Sequence, residues 1–123
     1  MITFNNTPKL PIKERSFKFA VEIVKFCIYL KQIRQYELSN QLIRSGTSIG
    51  ANLREAVNGY SKKDFIYKVS IAQKEADETI YWLEIINEII VDDPIPSQLL
   101  NESRQLLKII RTISMNAQKQ PNN

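Results

Sequence analysis

Between Phe65 and Ile90, apolar or small residues recur at Phe65, Val69, Ala72, Ala76, Thr79, Leu83, Ile86 and Ile90, alternately four and three apart for seven steps. A half-buried strand would alternate every second residue. A helix turning about 100° per residue gathers the observed spacing onto one stripe. The stripe predicts a helix over about residues 62–91. At about 1.5 Å per residue it would be about 45 Å long. An apolar stripe of that length has to be covered by other helices.

Three further segments supply them. Over residues 12–33, Phe19, Ile23, Phe26, Leu30 and Ile33 form one line. Phe17, Ala20, Val24 and Cys27 form a second, with Val21 and Ile28 elsewhere on the circumference. Over residues 38–58 the inward stripe is Leu38, Leu42, Ser45, Ile49, Asn52 and Ala56. Over residues 97–118 it is Leu99, Ser103, Leu106, Ile110, Ile113 and Ala117. Gln35-Tyr36-Glu37 reads as a turn, Gly59 as a left-handed helix end, and Ser61 as the cap of the third helix with Asp64 at the capping-box position. Asp92-Asp93-Pro94 stops that helix, although carboxylates are unfavourable beside a helix C-terminus. Four long helices with short connections predict an all-α, antiparallel up-down-up-down four-helix bundle. It forms one domain over residues 1–123. An N-terminal arm, residues 1–11, is kept out of the first helix by Pro8 and Pro11, and the tail, residues 119–123, is expected to fray.

The first helix is apolar on two sides, and the third adds Ile71, Trp82, Ile85 and Ile89 to its main stripe. In a chain this small, such surplus is explained by self-association. The second helix carries the opposite oddity. Its stretch Arg44-Ser-Gly-Thr-Ser-Ile-Gly-Ala-Asn-Leu-Arg-Glu55 holds two glycines four residues apart. Each costs about 1 kcal/mol relative to alanine inside a helix, and close approach of a neighbouring helix accounts for them. Ser45 and Asn52 on the inward stripe need partners if buried. The expectation is a structural polar network of Arg44, Ser45, Ser48, Asn52, Glu55, Glu75 and Glu78, in which loss of Arg44 or Glu75 costs about 3–5 kcal/mol if the pair is buried.

Composition narrows the chemistry. The chain has no histidine and one cysteine. That removes the commonest general base, the Ser-His and Cys-His nucleophile pairs and the commonest zinc ligand. No glycine-rich phosphate loop is present either, so neither catalytic residues nor a metal site nor a cofactor is expected. Glu22, Glu55, Glu75 and Glu78 could ligate only a hard ion, and Arg44 and Lys74 beside them favour ion pairing. Cys27 lies in an apolar run as a reduced core residue. No run of about 18 apolar residues occurs, and Met-Ile-Thr-Phe-Asn-Asn-Thr-Pro lacks the basic and apolar regions of a secretory signal. A cytoplasmic protein with no membrane partner is expected.

Charge is unevenly placed. Residues 1–63 hold 11 Lys/Arg against 4 Asp/Glu, a net of +7, and residues 64–123 hold 6 against 9, a net of −3. Lys13, Lys18 and Lys25 on the first helix and Arg104, Lys108 and Arg111 on the fourth are the candidate nucleic-acid-binding residues. These helices are neighbours in an up-down bundle, and phosphate binding needs several cations on one face but no particular motif.

Gln41, then Arg44-Ser45-x-x-Ser48-Ile49-x-x-Asn52-x-x-Glu55-Ala56, followed by Phe65, Ile71-Ala72, Lys74-Glu75-Ala76, Glu78-Thr79 and Tyr81-Trp82-Leu83, resemble the bacterial four-helix bundle protein family. Its members were first noticed as reading frames inside intervening sequences of large-subunit ribosomal RNA genes. The resemblance covers roughly residues 12–115. Two departures are Ala56, where many relatives have glycine, and the turn before Leu38, which lacks a Phe-Pro common elsewhere. The resemblance implies a ring-like homopentamer. The family is also similar to the accessory proteins of diversity-generating retroelements, basic pentameric barrels that bind a reverse transcriptase and nucleic acid.

Two readings of function follow. In one, a non-enzymatic homo-oligomeric bundle, a pentamer by resemblance, binds RNA or DNA through a basic face on the first and fourth helices. In the other, it is a protein–protein interaction scaffold with no nucleic-acid role.

Overall fold

The computed structural model describes Ile2, Phe4 and residues 10–120. Pro8, Lys9 and most of the expected arm lie outside the described residues, as do residues 121–123 of the tail. Four helices follow in order: α1 (Ile12–Gln32), α2 (Tyr36–Val57), α3 (Lys62–Ile89) and α4 (Ile95–Lys119). Each packs on its neighbour in sequence, and α1 meets α4 to close the ring. The arrangement is the expected all-α four-helix bundle.

The apolar stripes meet in one core. Val69, Ala72, Ala76, Thr79, Leu83 and Ile86 of α3 are buried against Phe19, Ile23 and Leu30 of α1, Leu42 and Ile49 of α2, and Leu99, Leu106 and Ile110 of α4. Phe65 and Ile90, at the two ends of the α3 stripe, are half-buried. Thr79 suits its place because its hydroxyl donates to the Glu75 carbonyl one turn back, at 2.7 Å.

The connections differ from expectation in three places, each for a local reason. Tyr36 and Glu37 belong to α2, and the turn is Ile33-Arg34-Gln35. Arg34 takes the left-handed conformation (φ 66°). Its N–H donates to the Lys31 carbonyl at 3.0 Å, and the Gln35 N–H donates to the Leu30 carbonyl at 2.8 Å. This pair of bonds satisfies the last carbonyls of α1 in the Schellman pattern, with an arginine where glycine is usual.

At the end of α2, Gly59 is not left-handed. Its use is steric: a Cβ there would stand 2.7 Å from a carboxylate oxygen of Asp64. Ser61 caps α3, accepting from the Asp64 N–H at 3.0 Å. At the α3–α4 connection, Asp93 faces the next helix rather than the last. Its carboxylate accepts from the Ile95 N–H at 2.9 Å. There it satisfies a free donor at an N-terminus, where negative charge is favourable.

Candidate functional site

The polar stretch of α2 does two separate things. Toward α1 its glycines admit another helix: a Cβ on Gly46 would stand 2.9 Å from Ile23 Cγ2, and one on Gly50 would stand 3.2 Å from Ser16 Oγ. Toward α3 it presents Arg44, whose guanidinium donates to Glu78 and lies 3.8 Å from Glu75. The expected network ends there. The hydroxyls of Ser45 and Ser48 and the amide of Asn52 donate to carbonyls of their own helix, at Leu42, Arg44 and Ser48. Glu55 pairs with Lys68 at 3.5 Å instead. Helical Ser and Asn satisfy themselves on the preceding turn without any partner helix, which is why the wider network does not form. The Arg44 side chain is 52% exposed, so this pair is not the buried one expected from sequence.

Glu75 is the strained member. One of its carboxylate oxygens is buried with no hydrogen-bond partner. Burial and the nearby Glu78 hold its pKa above the ordinary carboxylate value, against the pull of Arg44 and Lys74.

The six candidate cations do not share one face. Lys13 lines a cleft between α1 and α2 with Phe17, Thr47, Ala51 and Arg54. Lys18 lies 6.0 Å above the Phe4 ring on another side of α1. Lys25 pairs with Glu22 at 3.6 Å. On α4, Arg104 reaches Glu84 of α3 at 3.3 Å and Arg111 reaches Asp77 of α3 at 3.8 Å, with exposed Lys108 between them. These contacts set the α4 cations at the α3 side of that helix, away from α1. Spacing along each helix was legible, but the rotation of each helix about its axis was not.

The α1–α4 seam is built from residues outside the candidate set. Arg15 donates to both carboxylate oxygens of Glu102, at 2.9 and 2.8 Å, and to the Gln105 side chain at 2.6 Å. Arg15 and Glu102 are buried. The hydrogen bond to Glu102 raises the Arg15 pKa, against the lowering effect of burial. Both residues stood on core lines in the sequence. Arg15 precedes Phe19 by four, and Glu102 sits between Leu99 and Leu106 with three-and-four spacing. A charge at an inward position on each of two adjacent helices was the available signal.

Arg54 also lies outside the candidate set. Its guanidinium lies 5.8 Å from the centroid of the Phe17 ring, within the range of a cation–π contact. Lys13 and Arg54 thus rim a cleft floored by small residues.

The outer side of α1 remains uncovered among the described residues. Phe17 is 56% exposed, Ile28 55% and Val21 37%. By contrast, the second apolar side of α3 is partly covered, with Ile71, Trp82 and Ile85 half-buried and only Ile89 exposed. Cys27 is buried, and burial pushes its thiol up to about 11. No helix of the described residues is long and apolar enough to cross a membrane.

No curated protein matches the chain. The crystal structure of a protein with unknown function from the S23 ribosomal protein family of Bacteroides thetaiotaomicron is similar, with a TM-score of 0.80 at 40% identity. The match covers 85% of this chain and 98% of that one. A family model described as 23S rRNA-intervening sequence protein matches residues 8–115. With its four-helix fold and the polar pattern of α2 and α3, the chain belongs to the 23S rRNA-intervening sequence protein family.

Proposed function

We propose that the protein acts as a non-enzymatic, self-associating helical scaffold in the cytoplasm. The observation that carries this reading is the outer face of α1, where Phe17, Val21 and Ile28 stand in solvent on a helix whose opposite face is already buried. Large apolar side chains in a contiguous row mark an interaction surface. The five-copy ring implied by the family resemblance is one size such an assembly can take. Light scattering across a concentration series tests the reading. A particle mass several times that of one chain is expected, and a monomer at every concentration refutes it.

A second reading adds nucleic acid as a partner. It is supported by Lys13 and Arg54 on one cleft beside an exposed aromatic ring, because cations rimming an aromatic platform suit phosphates and bases together. Lys18, Lys25 and the α4 cations would add to the field of the assembly without forming one stripe. Titration with a structured RNA and a DNA duplex at two salt concentrations tests it. Affinity that falls steeply with salt supports phosphate contacts. No binding at low salt leaves the protein scaffold alone.

A further inference from the structure

Resting on the self-association reading, one feature of α1 specifies how two copies meet. Glu14, Phe17, Val21, Val24, Ile28 and Lys31 are spaced three, four, three, four and three apart. This is the spacing of a coiled-coil seam. It is a different stripe from the one buried in the core: Glu14, Phe17, Val21, Ile28 and Lys31 are exposed and Val24 is half-buried. The apolar part is closed by an acid at one end and a base at the other, and neither charge has an ion-pair partner among the described residues.

Reversed, the stripe reads the same. An antiparallel second copy brings Phe17 against Ile28, Val21 against Val24, and Glu14 against Lys31, and each pair occurs twice. Such self-complementarity is what a two-fold contact between identical chains requires, since residue i meets j and j meets i. A parallel copy would instead set Glu14 on Glu14 and Lys31 on Lys31. The flank agrees. α2 runs antiparallel to α1, so Arg54 stands beside the Glu14 end and Glu37, at the start of α2, beside the Lys31 end. The same two-fold brings these opposite charges to one side of the seam. We infer that α1 is a self-pairing helix, which docks antiparallel on α1 of a second copy through Phe17, Val21, Val24 and Ile28, with register set by Glu14 and Lys31.

The test is a charge exchange read by association. Glu14→Lys places two lysines together at both ends, and Lys31→Glu places two glutamates together. Each single variant is expected to shift the association midpoint about tenfold to higher concentration. The double variant restores opposite charges and is expected to return to the wild-type midpoint. Both residues are exposed, and melting followed by circular dichroism checks that each variant folds. Val24→Asp, in the middle of the seam, is expected to leave monomers. Charge variants that all associate like wild type, with Val24→Asp monomeric, overturn the two-fold register and leave self-association through this face standing. An odd-numbered ring indifferent to all of these changes overturns the seam but not self-association. A wild type that stays monomeric overturns both.

Discussion

Arg15 on α1 and Glu102 on α4 hold each other through two parallel hydrogen bonds, with side chains 5% and 4% exposed, where the ring of helices closes. Removing one partner of such a pair leaves a charge out of water, which costs about 3–5 kcal/mol. Arg15→Ala is therefore expected to lower stability by about that amount, as is Glu102→Ala. Replacing both by apolar residues of similar volume, Arg15→Met with Glu102→Leu, leaves no buried charge and is expected to lie close to wild type. Urea unfolding of the four proteins measures this. A double variant as unstable as either single would show that the seam depends on its charges and not only on filling the space.

Gly46→Ala tests the close approach of α1 and α2. In an open helix the change would stabilise by about 1 kcal/mol. Here the new methyl meets Ile23 at 2.9 and 3.0 Å, on the two carbons attached directly to its Cβ. A β-branched side chain has little rotamer freedom with which to move aside. Overpacking costs about 1–3 kcal/mol, so a net loss is expected. Ile23→Ala removes both contacting carbons, so the two changes together should cost clearly less than their sum. A thermal melt of all three variants gives the coupling, and additivity would place the strain elsewhere.

These two sites show what could be read from the chain and what could not. The α3 stripe fixed helix number and core side, because seven consecutive four-and-three steps exclude a strand. The connections were legible where one residue acts on its own neighbours, as Ser61 does on Asp64. They were misread where the sequence allows two local solutions, as with Gly59, which avoids a clash instead of turning left-handed. Side-chain partners across helices were the hardest to read, because they depend on axial rotation. Arg44 meets the two glutamates expected of it, while Ser45, Ser48 and Asn52 bond to their own helix. Arg104 and Arg111 turn toward α3 carboxylates, an outcome the spacing on α4 alone could not decide.

Arg34→Gly should stabilise the protein. Arg34 holds φ 66° at the end of α1, a conformation that costs an L-residue roughly 1–2 kcal/mol and glycine almost nothing. Part of the gain is offset because glycine loses more freedom on folding. A net increase of about 0.5–1 kcal/mol is expected. Urea unfolding of the two proteins measures it. The Arg34 side chain has no ion-pair or hydrogen-bond partner among the described residues, so a decrease would mean that the guanidinium reaches another copy.

Glu75 gives a pH signature opposite in sign to that of most carboxylates. Its folded pKa is raised above the unfolded value, chiefly by burial. The folded state therefore binds the proton more tightly, and this contribution to stability is present at low pH. It is lost as pH rises from the unfolded pKa through the folded one. Glu75→Gln abolishes the titration and removes only a half-exposed pair with Arg44, worth about 0–1 kcal/mol. Its stability relative to wild type should rise as pH climbs through the raised pKa toward neutrality. Urea midpoints at pH 4 and pH 7 measure the difference, and a constant gap between the two proteins would show that Glu75 titrates normally.

Charge reversal separates the two places where cations gather. Lys13 and Arg54 rim the cleft beside Phe17, whereas Arg104 and Arg111 are each within reach of an α3 carboxylate. Exposed pairs of that kind are weak, but a cation already facing a carboxylate has less field to offer a phosphate. Each cation withdrawn from a phosphate should reduce the slope of log affinity against log salt by about 0.9 on duplex DNA. Lys13→Glu with Arg54→Glu is expected to flatten that slope by about twice that amount. Arg104→Glu with Arg111→Glu should change it less, but should destabilise the bundle slightly, because Glu84 and Asp77 then face like charges. Glu37 and Glu14 decide how to interpret a failure. If the first pair of reversals also dissolves the oligomer, Arg54 is engaged with a second copy and the cleft is an assembly contact. If the oligomer stays whole while the slope falls, the cleft binds phosphate from outside the assembly.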